Sequence, residues 1–276
     1  MVSVRAWAGP TAAVVGVGAI VGSTLVLAVT GRGLRYTADS MDTISWWQPW
    51  APAVAGLLAA LAFPVDARDP ATPSNPLPQA WALLTCGVAF ASALIVLGPA
   101  EPNYTVLKLG LLLAVPVVVF AVARRRGAAW PDPTVEARWS PAPAVIAYLA
   151  VYLSLAEERD SFLAGVPVAD SAVLLLGGFA MNALLEEVFY RRWLLTRWRA
   201  ALGPWPAVAI SAIVWAAWHI AIQGSGNLAG DAVNVLANQG VSGLFLGFLW
   251  LRYRVMWPLL VIHGVWNANP VQLLAG

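Results

Sequence analysis

The chain has 276 residues, of which 60% are apolar and 11% charged, with a formal charge of +2 and a mean hydropathy of +0.72. A soluble domain is roughly 45–50% apolar and about 25% charged, so this composition excludes a soluble fold and predicts an all-α, polytopic transmembrane helix bundle. One cysteine and two histidines exclude a disulfide scaffold and a zinc finger, and without a basic stripe interleaved with aromatics, nucleic acid is excluded as a partner.

Crossing roughly 30 Å of hydrocarbon takes about 20 helical residues. The first apolar run, 9–30, follows Arg5 as the core of a secretory signal would. Further apolar runs follow it, so a membrane anchor is the expected reading. The next candidates are 48–64, 78–97 and 104–123, then 141–156, 168–193, 206–222, 233–251 and 255–267, giving eight or nine helices. The second, fifth and ninth are short and need tilt or interfacial turns to complete a crossing. Cys86, within the third, reads as a small packing residue. Pro-rich stretches at 66–78 and 127–143 deny backbone donors and mark loops.

Arginine placement gives an orientation. With the N terminus in the cytoplasm and nine spans, Arg5, Arg68, Arg124, Arg125, Arg126, Arg138, Arg191, Arg192, Arg197, Arg199, Arg252 and Arg254 fall inside. Only Arg32, Arg35 and Arg159 fall outside, with Lys108 set aside near an outer helix end. That bias is the one expected of cytoplasmic loops. Trp46, Trp47, Trp50, Trp130, Trp139, Trp193, Trp198, Trp205 and Trp257 lie near span ends and are expected as interfacial anchors. Trp215 and Trp218, inside a span beside His219, suit either helix packing or the shaping of a site.

Polar side chains are expensive in hydrocarbon, so their positions carry information about function. The stretch MNALLEEVFYRRW places Asn182, Glu186, Glu187, Tyr190 and Arg191 in or near the membrane. The eighth run holds Asn234, Asn238, Gln239 and Ser242, while VWAAWHI and VIHGVWNAN contribute His219 and His263. Glu186 and Tyr190, Glu187 and Arg191, Trp215 and His219, and His263 and Asn267 are all i,i+4 pairs on one helix face. A Glu187–Arg191 ion pair would leave Glu186, about 100° around the helix, facing a cavity.

One carboxylate, two imidazoles and an amide suffice for hydrolysis by water. Glu186 would take the proton of attacking water. His219 would orient that water or protonate the leaving amine, and His263 with Asn267 would donate to the oxyanion. Equally, Glu186, His219 and His263 suit one divalent metal ion such as zinc, with a fourth position for activated water. The same residues also suit a proton-coupled transporter or channel, or a non-catalytic immunity or scaffold protein in which they only hold helices together.

In order and spacing these residues resemble the CAAX protease and bacteriocin-processing family of intramembrane proteases. Its E-E-x-x-x-R is matched by Glu186, Glu187 and Arg191, and its H-x-x-x-N by His263 and Asn267. Its F-x-x-x-H is matched by Trp215 and His219, with tryptophan replacing phenylalanine, a change that bears on pocket shape. The resemblance implies a catalytic Glu186 supported by Glu187 and Arg191, with His219 and His263 as catalytic or metal-binding imidazoles and Asn267 as the water or oxyanion ligand. It covers roughly 140–268, so the expected organisation is 1–139 as N-terminal transmembrane helices and 140–276 as a catalytic membrane core. It further implies an endopeptidase acting on a membrane-associated protein or peptide, prenylated or not; the Ala- and Arg-rich sequence reads as bacterial, so the expected setting is a plasma membrane with the cavity open to the cytoplasm. One tension remains: His219 lies 13 residues beyond Pro206, or roughly 20 Å along a helix. A shared cavity therefore requires a tilted seventh span or a site near mid-membrane.

Overall fold

The computed structural model describes residues 5–36, 41–63, 76–128, 138–156 and 166–268. Within them the chain forms nine helices: α1 (Arg5–Thr30), α2 (Trp50–Ala62), α3 (Pro76–Leu97), α4 (Asn103–Arg125), α5 (Ala142–Ser154), α6 (Val168–Leu202), α7 (Pro204–Gln223), α8 (Leu228–Tyr253) and α9 (Trp257–Asn267). Six of them, α1, α3, α4, α6, α7 and α8, are long and apolar enough to cross a membrane, while α2 and α5 are shorter. The outward faces are apolar, with Val14, Val96 and Leu176 each more than two-thirds exposed. A surface of this kind needs lipid against it. The chain is an integral membrane protein built as a helix bundle.

Polar content and proline explain the interruptions. Helices α7 and α9 each begin with proline in the first turn, where a missing N–H costs nothing. Helix α6 continues well past the predicted end at Trp193, because the arginines after it find partners inside the protein. Arg197 is buried, donates from Nε to Gln79 Oε1 at 3.0 Å and lies over the Phe120 ring. Gly203, at φ 95°, then reverses the chain into α7, a conformation that disfavours any side chain. Two stretches of α6, Phe179–Leu184 and Glu187–Leu195, are π-helical, as is Gly110–Ala114 of α4. Such widened turns recur at functional sites.

Helix α7 lies at the centre, packed against α1, α3, α6 and α8, and α2 packs on α5. Small residues let these backbones approach: a Cβ on Gly243 of α8 would sit 2.9 Å from Ala212 Cα of α7. A feature absent from the all-α expectation is a small antiparallel hairpin, β1 (Leu34–Arg35) with β2 (Thr43–Ile44), pairing Leu34 with Ile44 and Arg35 with Thr43. It is pinned to α8, since Asn234 accepts from Arg35 N at 2.9 Å and donates to Arg35 O at 2.7 Å.

The tryptophans divide. Trp46, Trp47, Trp139 and Trp205 are exposed, as interfacial anchors should be. Trp193 and Trp198 are instead buried, packed edge-on against Phe120 and Trp81, because the extension of α6 carries them into the protein. Trp50 and Trp257 donate to Thr24 Oγ1 and Arg138 O. Trp130 lies outside the described residues.

Candidate active site

The site is assembled on α4, α6, α7 and α9. Glu186 of α6 is buried, with 1% of its surface exposed. Its Oε1 accepts from Lys108 Nζ of α4 at 2.5 Å and its Oε2 from the indole N–H of Trp215 of α7 at 2.6 Å. Lys108 also donates to Tyr104 Oη at 2.5 Å and to Asn182 Oδ1 at 2.8 Å, and Tyr104 Oη lies 2.8 Å from the same amide oxygen. An ionised side chain near a span centre costs about 2.5–3.5 kcal/mol on insertion scales. Here that cost is offset by pairing opposite charges and satisfying the ammonium with three oxygens.

Glu187 points elsewhere, as the i,i+4 reading predicts. Its Oε1 accepts from Arg191 Nη1 at 3.1 Å, and His263 Nδ1 of α9 lies 2.7 Å from the same oxygen. Arg191 is fully buried and its guanidinium lies 4.4 Å from the centre of the Trp215 ring. The Arg191 guanidinium is thus stacked on the indole that bonds Glu186.

The imidazoles are oriented by their Nδ1 atoms. His219 Nδ1 lies 3.0 Å from Trp215 O, and a carbonyl oxygen can only accept, so Nδ1 carries the proton and Nε2 keeps its lone pair. By the same logic His263 donates from Nδ1 to the Glu187 carboxylate. Trp218 packs against the His219 ring at 3.9 Å between centroids, and Trp215 lies edge-on to both histidines.

Glu186, His219, His263 and Asn267 line one cavity of about 1460 Å³. The structure therefore brings together on one surface the four residues predicted to touch substrate, and the depth mismatch along α7 does not prevent it. Asn182, Tyr104, Trp215 and Trp218 line the same cavity, while Glu187 and Arg191 lie behind it. Asn238, Gln239 and Ser242 of α8 also face it, so the polar residues of the eighth run belong to the cavity and to the hairpin anchor. Lys108 and Tyr104 are the site residues that the motif spacings do not reveal. Their signal is compositional: Lys108 is the only lysine in the sequence, and it lies inside an apolar span one helical turn from Tyr104.

Among the described residues no group of three or more His, Cys, Asp or Glu is placed to hold a metal ion, and Lys108 and Trp215 each engage one oxygen of the Glu186 carboxylate.

Residues 168–269 match the family model described as Type II CAAX prenyl endopeptidase Rce1-like. The chain carries an Rce1-like domain. The Rce1-like domain takes in α6 to α9 and so contains Glu186, Glu187, Arg191, Trp215, His219, His263 and Asn267, whereas Tyr104 and Lys108 come from outside it. No curated protein and no solved structure matches the chain.

Proposed function

We propose that the protein is an intramembrane endopeptidase that hydrolyses a peptide bond of a membrane-associated protein or peptide with water activated by Glu186. The observation that carries this reading is the shared cavity: one buried carboxylate, two imidazoles and a terminal amide around a single space, in a chain with an Rce1-like domain. In this reading residues 1–139 frame a catalytic core formed by 140–276. In this reading the protein works within a bacterial plasma membrane.

A carboxylate has about four acceptor positions, and the Lys108 and Trp215 bonds use two of them on Glu186. The remaining lone pairs take the proton of a water in the cavity, while His219 Nε2 accepts the water's second hydrogen and fixes its direction. The water oxygen bonds to the scissile carbonyl carbon and the carbonyl electron pair moves onto oxygen. The Asn267 amide donates to that oxyanion. His263 lines the same space, its ring oriented by the 2.7 Å contact between its Nδ1 and Glu187 Oε1. Collapse breaks the C–N bond, and the proton held by Glu186 passes to the leaving amine.

The test is cleavage of a membrane-peptide library by the purified full-length protein in lipid. Cleavage is expected for the native chain and lost in Glu186→Gln and His219→Ala. Undiminished cleavage by both variants overturns the assignment.

A further inference from the structure

The four-residue cluster of Lys108, Tyr104, Asn182 and Glu186 has a feature that water activation by a glutamate does not by itself require. The cation comes from α4, outside the Rce1-like domain, and it is fully buried. It reaches Glu186 Oε1 at 2.5 Å. Its surroundings are built for it: Tyr104, one turn earlier on the same helix, accepts at 2.5 Å, Asn182 accepts at 2.8 Å from one turn before Glu186 on α6, and the Tyr104 and Trp218 rings lie 4.6 and 4.9 Å from Nζ. Aromatic faces attract an ammonium, so these three oxygens and two rings all stabilise its charge. An amine at this place serving only to join helices would need no such enclosure at a carboxylate that faces the cavity.

We propose that Lys108 is a positioning residue for Glu186: its ammonium fixes Oε1, leaves the other oxygen to Trp215, and so holds the carboxylate ionised with its remaining lone pairs turned to the cavity. The N-terminal half of the chain, which carries no motif, thereby completes the site. The proton balance of hydrolysis is unchanged, because Lys108 stays protonated throughout and neither gives nor takes a proton.

The inference rests on the endopeptidase reading for its kinetic consequence but not for the pairing itself, and the two are separable. Thermal unfolding of the full-length protein in detergent tests the pairing. Lys108→Met leaves Glu186 buried without its counter-charge and is expected to lower Tm. Adding Glu186→Gln removes the unpaired charge and is expected to restore most of the loss. If Lys108→Met does not fold, folding of the double variant is the same result, and failure of both overturns the pairing. Additive losses also overturn it.

Kinetics test the role. On a peptide that the native protein cleaves, Lys108→Met is expected to reduce kcat about 100-fold with KM within about twofold, since the group acts on the carboxylate and not on substrate. Lys108→Arg, which keeps the charge, is expected to recover at least about tenfold of that loss, and ethylammonium is expected to restore part of the activity of Lys108→Ala. Native kcat in Lys108→Met, or equal losses in Lys108→Arg and Lys108→Met with no amine rescue, would overturn the positioning role. If the native chain cleaves no peptide, the endopeptidase reading falls and the proposed role falls with it, while the unfolding cycle still decides the pairing.

Discussion

The indole N–H of Trp215 donates to Glu186 Oε2 at 2.6 Å. The family pattern has phenylalanine at this place, and a phenyl ring has no donor, so the departure in this chain adds a hydrogen bond to the carboxylate as well as changing pocket shape. The same ring stacks on Arg191 and lies edge-on to both histidines. Trp215 thus links Arg191, over its ring, to Glu186, bonded by its N–H.

Replacing the indole by the family residue separates these roles. Trp215→Phe keeps an aromatic face for Arg191 and leaves the backbone carbonyl that orients His219 in place. It removes one hydrogen bond to a charged group, an interaction with a net value of about 1.5–3 kcal/mol. At about 1.4 kcal/mol per factor of ten, kcat is expected to fall about ten- to hundredfold. Steady-state kinetics on a cleaved peptide check this, and an unchanged kcat would show that Lys108 alone suffices to orient Glu186.

Much of this arrangement was legible in the sequence, and the reason is the solvent. Hydrocarbon tolerates few polar groups, so Glu186, Glu187, Arg191, His219, His263 and Asn267 stood out against their neighbours, and i,i+4 spacing separated the two adjacent glutamates correctly. Helix number followed from hydropathy, while helix length did not: α6 runs to Leu202 because Gln79 and Phe120 receive Arg197. No local pattern announces a partner 118 residues away in sequence. The pairing of Lys108 was hidden for the same reason. It lies near a helix end, as expected, and only the tertiary fold places Asn182 and Glu186 around it. Likewise Asn234 stood out only as a polar residue in an apolar run, and it makes the two strand-like bonds to Arg35 that anchor the hairpin.

Behind the cavity, Glu187 carries two burdens. It neutralises Arg191, which is fully buried, and it accepts from His263. Glu187→Gln removes the negative charge while keeping the shape, so Arg191 is left buried without a counter-charge. Breaking a buried pair from one side costs about 3–5 kcal/mol. Thermal unfolding in detergent is expected to show a large loss of Tm for Glu187→Gln, and a smaller loss when Arg191→Met is added. A loss no smaller in the double variant would show that the two charges are not coupled.

Helix packing reaches the chemistry through Gly243. A Cβ there would stand 2.9 Å from both Ala212 Cα and Ala212 Cβ and 3.3 Å from the Trp215 ring. The first obstacle is backbone, which cannot rotate away, so Gly243→Ala must push α8 off α7. Overpacking of this kind costs about 1–3 kcal/mol. Because Trp215 is among the displaced groups, the hydrogen bond to Glu186 is disturbed as well. Gly22→Ala is the control, since a Cβ on Gly22 meets nothing within 4 Å, and alanine gains up to about 1 kcal/mol over glycine in a helix. Gly243→Ala is expected to lower both Tm and kcat, and Gly22→Ala to hold or raise Tm with native kcat. Equal Tm values in the two variants would mean that α8 does not close on α7 as tightly as the backbone distance requires.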